Sequence, residues 1–147
     1  MNKLTPHFSL EELTVSATAQ RLGIDNTPPA EILPNIQVLA EGLERVRAAL
    51  PIYNTPLHVD SGYRCLALNR AVGGAWNSAH MTGFSADITC GSLSPQEVCK
   101  YILGTGIKFD QLIYEGTWVH ISFDPQMRGE VLVSSFGPGG TIYAKLG

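Results

Sequence analysis

The chain has 147 residues, with 44% hydrophobic and 16% charged side chains. That length suits one domain and that composition excludes a disordered chain. The net charge of -3 offers no general basic surface, so nucleic acid is not expected as a partner.

Ser9-Leu10-Glu11-Glu12 fits a capping box and predicts a short helix from Ser9. A second short helix is expected from Ser16 to Leu22, stopped by Gly23. Asn26-Thr27-Pro28-Pro29 reads as a loop. Ile32, Ile36, Leu39, Leu43, Val46 and Leu50 then recur at steps of four and three, the stripe of a long helix that ends near Leu50-Pro51. Pro34 must then lie in its first turn.

Leu57-His58-Val59-Asp60 alternates as a strand, and Ser61-Gly62-Tyr63-Arg64 makes the turn at its end. Cys65 to Ala71 suits one or two helical turns. Residues 72–86 are rich in Gly, Ser, Asn and Thr and read as a long structured loop, which in a compact domain is usually functional. Asp87 to Cys90 is a candidate strand. Ser94-Pro95-Gln96-Glu97 is a second capping box, and Gly104 is expected to close its helix. Phe109 to Tyr114 and Trp118 to Phe123 predict a hairpin turning near Glu115-Gly116-Thr117. Val131 to Ser135 is a further strand, followed by the Gly137-Pro138-Gly139-Gly140 loop and a weak tail strand. Helices first and paired strands later predict a single α+β domain over residues 1–147, mainly antiparallel, with the N-terminal helices packed on the sheet.

No stretch approaches the roughly 20 apolar residues of a membrane span, so stable membrane insertion is not expected. Met1 to Leu13 holds no apolar run of a signal peptide. The chain is therefore expected to start in the cytoplasm and to need another agent for release. Cys65, Cys90 and Cys99 form no C-x-x-C pair and read as reduced thiols.

Within the long loop, His80 and Asp87 lie seven apart across Gly83. His120 sits in the apolar run Trp118-Val119-His120-Ile121. Two imidazoles and a carboxylate are a natural three-ligand set for a catalytic Zn²⁺ with one position left for water. Spacing alone leaves open a surface histidine and a core histidine.

The segment Ser78-Ala79-His80-Met81-Thr82-Gly83-Phe84-Ser85-Ala86-Asp87 resembles the S-x-H-x-x-G-x-A-x-D signature of the zinc D-alanyl-D-alanine carboxypeptidase family, which shares its fold with the hedgehog signalling domain. Ser61-Gly62-Tyr63-Arg64 looks like its S-G-Y-R segment. Leu68-Asn69 with Val72-Gly73-Gly74 looks like its connecting loop, and Trp118-Val119-His120-Ile121-Ser122 like its W-V-H segment. Phe8 to Leu13 and Gly23 to Pro28 resemble the N-terminal portion of phage and prophage members. The likeness spans roughly residues 8–136.

The resemblance implies one Zn²⁺ held by His80, Asp87 and His120, with Arg64 supporting the oxyanion of a tetrahedral intermediate. It implies a peptidoglycan stem peptide or cross-bridge as substrate, and it suits an endolysin released through a holin-type pore. Ser78, Tyr63 and Trp118 are expected to line the substrate, with Ser78 also bonding backbone N–H groups of the metal loop. Trp76 and Tyr114 are further candidates for the groove wall, as are His58 and Asp60. His7 is expected at the surface.

Two positions depart from the pattern. Ser85 stands where the signature has alanine. Thr117 stands where many relatives carry the Glu or Asp that serves as general base. Glu115 is the nearest remaining carboxylate and the proposed proton shuttle, with Asp110 next. The missing carboxylate at 117 keeps a rival open, a zinc-stabilised binding or structural module of the same fold.

Overall fold

The computed structural model describes residues 2–51, 57–137 and 140–145. Strands β1 (Lys3–Thr5) and β2 (Phe8–Ser9) form an antiparallel pair that the sequence patterns did not predict. The capping box at Ser9 forms, since Glu12 N donates to Ser9 Oγ and Ser9 N to Glu12 Oε1, both at 3.2 Å. The expected helix does not form; residues 10–14 make turns only. The Leu13 carbonyl, which a continuing helix would give to residue 17, accepts from Tyr63 N at 2.8 Å.

Helix α1 (Ala17–Leu22) is capped by Ser16 and stopped by Gly23 at φ +68°. Helix α2 (Leu33–Ala49) keeps Pro34 in its first turn and buries Ile36, Leu39, Leu43 and Val46. Helix α3 (Leu66–Ala71) follows β3 (Leu57–Ser61), with the Cys65 thiol accepting from Leu68 N at its start. After β4 (Ser85–Cys90) comes α4 (Pro95–Thr105), with both bonds of the Ser94–Glu97 capping box. Gly104 does not close it. The left-handed cap is Gly106 at φ +74°, and Gly104 is accommodated within the last turn at a cost of about 1 kcal/mol relative to Ala.

Strands β5 (Gln111–Tyr114), β6 (Val119–Ser122), β7 (Glu130–Gly137) and β8 (Gly140–Lys145) complete a sheet of order β3-β4-β6-β5-β7-β8. Only β5 and β7 pair in parallel, so the fold is α+β and mainly antiparallel, as expected. Pro138 and Gly139, in the predicted loop, lie outside the described residues. The crossover from β6 to β7 is pinned by Asp110. Its carboxylate accepts from Arg128 N, Nε and Nη2 at 3.0, 2.9 and 2.8 Å.

One face of the sheet packs on the helices. Val59, Ala86, Ile88, Leu112, Val119 and Ile121 share a core with α2 and with Val98 and Ile102 of α4. A Cβ on Gly42 would lie 2.4 Å from the Phe123 ring, so glycine there lets α2 close on that ring. Because strand side chains alternate between faces, Asp87 and His120 project from the face opposite this core. No helix among the described residues is long and apolar enough to cross a membrane.

Candidate metal centre and cleft

Asp87 of β4 pairs directly with His120 of β6, so two of the candidate ligands are side-by-side neighbours on the sheet. His80 arrives from a single 3₁₀ turn, Ala79–Thr82, which must be held from outside. Ser78 Oγ accepts from His80 N at 3.2 Å. Gly83 ends the turn at φ +84°, a conformation that favours glycine. Asn35 of α2 donates to Thr82 O at 2.8 Å. The Ser61–Arg64 segment grips His80 twice: Arg64 N donates to the His80 carbonyl at 3.1 Å, and His80 Nδ1 bonds the Gly62 carbonyl at 2.7 Å.

His80 Nε2 lies 3.2 Å from Asp87 Oδ1, and His120 Nδ1 lies 3.0 Å from the same oxygen. One ligand atom from each residue falls within 4.8 Å of the others. Ligands at 2.0–2.2 Å in a tetrahedral site stand about 3.3 Å apart, so the cluster has the dimensions of a metal site. A carbonyl only accepts, so His80 Nδ1 donates to Gly62 and Nε2 is the ring atom turned towards Asp87. With the ring neutral, Nε2 offers the lone pair that a metal ion takes. Burial lowers the His80 pKa and favours the neutral ring, against the pull of Asp87. Burial also opposes the Asp87 charge, but the flanking His120 and His80 nitrogens outweigh it and hold the carboxyl below its usual range.

Arg64 and Glu115 stand beside this cluster. Arg64 Nη2 donates to Ser78 Oγ at 3.4 Å, while its buried Nε has no partner among the described residues. Burial lowers the Arg64 pKa, and the charges of Asp87 and Glu115 resist that shift. Glu115 is half-buried. Burial and then the Asp87 charge push its carboxyl above the usual range, while His120, Trp118 and Arg64 pull it down. Trp118 fixes it twice across the turn: Glu115 N donates to Trp118 O at 3.1 Å, and Trp118 Nε1 donates to Glu115 Oε2 at 2.9 Å. Thr117 is exposed on the same turn.

Asp110 is engaged by Arg128 and is not a spare base. Tyr63, expected to line the substrate, is 6% exposed and packs largely in the core, and it is also among the residues lining the cleft beside the cluster. Trp76 is 86% exposed and is not among the residues lining the cleft beside the cluster. Ser85 is fully buried, and its hydroxyl has no partner among the described residues. His7 is exposed and bonds Glu44. Burial pushes the Cys99 thiol up to about 11, and the three cysteines are free.

Sequence reading missed Asn26. It is buried, donates to the Thr14 and Tyr63 carbonyls at 2.8 and 3.0 Å, and accepts from Cys65 N at 2.8 Å. It therefore fixes the backbone on both sides of Arg64. Its place in a Thr-Pro-Pro loop gave no sign of this.

A cleft of about 320 Å³ opens beside the cluster, lined by Val15, Ser61, Arg64, Leu68, Val72 and Asp87 among others. A three-ligand metal cluster with a carboxylate, an arginine and an open cleft beside it is the arrangement of a metallohydrolase. A family model described as Peptidase M15 matches residues 6–122, and the chain belongs to that family. The match takes in Ser61–Arg64, His80, Asp87 and His120. Comparison with curated proteins gives no match.

Proposed function

We propose that the protein is a zinc peptidase that hydrolyses peptide bonds in peptidoglycan stem peptides or cross-bridges. The observation that carries this reading is the His80–Asp87–His120 set, with one ligand atom from each residue within 4.8 Å of the others. Two nitrogens and one oxygen suit Zn²⁺ with a fourth position open. His80, Asp87 and His120 would hold the ion, which would supply an acidified water and polarisation of the scissile carbonyl. Glu115 takes a proton from the attacking water and returns it to the leaving amine. Arg64 presents its guanidinium to the oxyanion of the tetrahedral intermediate. Ser78 bonds both Arg64 and the His80 backbone, so it keeps the two in register. Trp118 aims Glu115.

The likeness of residues 8–13 and 23–28 to phage and prophage members supports an endolysin, made in the cytoplasm and reaching the wall through a holin-type pore. Digestion of purified peptidoglycan by the zinc-loaded protein, followed by mass analysis, tests the reading. Peptide-bond cleavage products are expected, and none from His80→Ala. Thr117 in the usual place of the base favours one alternative, a zinc-stabilised binding module. Zinc binding with no cleavage of any wall peptide would establish that alternative instead.

A further inference from the structure

The cleft has a second charged wall that the hydrolytic residues do not use. In β3, Val59 pairs with Ile88 and Ser61 with Asp87, so Asp60 is an extra residue opposite no partner. A bulge of this kind re-aims a side chain and is common next to active sites. Here it places Asp60 in the wall of the same 320 Å³ cleft as Arg64 and Asp87. Thr89 Oγ1 donates to Asp60 Oδ1 at 3.2 Å, and His58 Nε2 lies 3.2 Å from that oxygen. Oδ2 has no hydrogen bond among the described residues, and the side chain is 34% exposed. Arg64 is not its partner, since the guanidinium bonds Ser78 and responds to Asp87 and Glu115. Val15, Leu68 and Val72 supply apolar wall around it. The cleft thus holds a positioned carboxylate with one free oxygen.

We propose that Asp60 is a specificity residue that receives a primary ammonium group of the substrate peptide. The inference rests on the peptidase reading above. An ammonium brings several N–H donors and the charge that a fixed carboxylate selects. In a wall peptide it can be an α-amine or the side-chain amine of a diamino residue, and the same contact serves both.

The test uses one wall peptide in three forms: both amines free, the α-amine acetylated, and the side-chain amine acetylated. Zinc-loaded wild type and Asp60→Asn are compared by kcat/KM. Binding is read by calorimetry on Glu115→Gln, with and without Asp60→Asn. Wild type should prefer the free peptide over one acetylated form by about ten- to a hundredfold, the ordinary worth of a hydrogen bond to a charged group. The difference should lie in KM, and the acetylation that matters names the amine. In Asp60→Asn the ratio should collapse, with zinc content unchanged. An equal ratio in both proteins, or no discrimination among the peptides, overturns the proposal. Asp60-dependent binding without cleavage would keep this contact and defeat the peptidase reading.

Discussion

His80 donates through Nδ1 to the carbonyl of Gly62 at 2.7 Å, and this bond decides which ring nitrogen faces Asp87. Partners of this kind orient metal-binding imidazoles and raise their basicity. Gly62 can serve only while it lies close to the Leu13 backbone. A Cβ there would stand 2.3 Å from the Leu13 oxygen. Gly62→Ala must therefore shift the segment and misplace the carbonyl. Zinc affinity should fall about ten- to a hundredfold, read by competition with a chelator, and His80→Ala should lose stoichiometric zinc. Wild-type zinc affinity in Gly62→Ala would remove this bond from the account of the site.

Asp110 makes a structural prediction. Hydrogen bonds from Arg128 hold its carboxyl below the usual range. A carboxyl with a depressed folded pKa stabilises the fold above its unfolded value, near 3.9, and that contribution is lost as pH falls towards the folded value. Asp110 is buried, but the Arg128 side chain is 49% exposed, so the cost of Asp110→Asn should be moderate, about 1–3 kcal/mol at neutral pH. Denaturant midpoints should show the gap between the two proteins narrowing as pH drops below about 4. Activity per folded molecule should be retained, and its loss in a folded Asp110→Asn protein would return Asp110 to the list of bases.

Arg64→Lys keeps the charge and loses the planar fork. The buried Nε of Arg64, without a partner among the described residues, has no counterpart on lysine. Turnover on a defined wall peptide should fall about ten- to a hundredfold in kcat, somewhat less than the usual worth of a lost oxyanion donor. Zinc content should stay at the wild-type level. Unchanged kcat would leave Arg64 as a residue that only braces Ser78.

The ligand set was legible because the order of small residues from Ser78 to Asp87 and the run Trp118-Val119-His120 resemble a zinc-peptidase signature; spacing alone left a surface and a core histidine open. Their meeting point was less legible. It depends on β4 pairing with β6 across an intervening helix and strand, which no local pattern specifies. Long-range bonds account for the misses. The box at Ser9 formed its two local bonds, yet Tyr63 took the carbonyl that a helix needed. Gly104 and Gly106 both suit a helix end, and the left-handed turn fell at the second. By distance in sequence Glu115 ranked first and Asp110 second as candidate bases. Arg128, eighteen residues away, engages the first, while burial beside Asp87 sets apart the second.

That contrast makes Glu115→Gln the decisive substitution. Burial, then the Asp87 charge, raises the Glu115 pKa. A carboxyl so raised is a stronger base than an ordinary one and can still give the proton back to an amine. Thr117 cannot act as a base at neutral pH, and both site histidines belong to the ligand set. Glutamine keeps the size and the acceptor for Trp118 Nε1 but does not titrate. The fold and zinc content should match wild type, while hydrolysis drops by about two to four orders of magnitude. The sign of the pH dependence follows. Activity needs ionised Glu115, so it should rise with pH across an acid limb that reports this carboxyl. Trp118→Phe removes a donor that pulls this pKa down, so the rise should move to higher pH. These outcomes are read from kcat/KM against pH on one wall peptide at equal zinc loading. If Glu115→Gln cuts as fast as wild type, or if Trp118→Phe leaves the acid limb where it was, Glu115 is not the base.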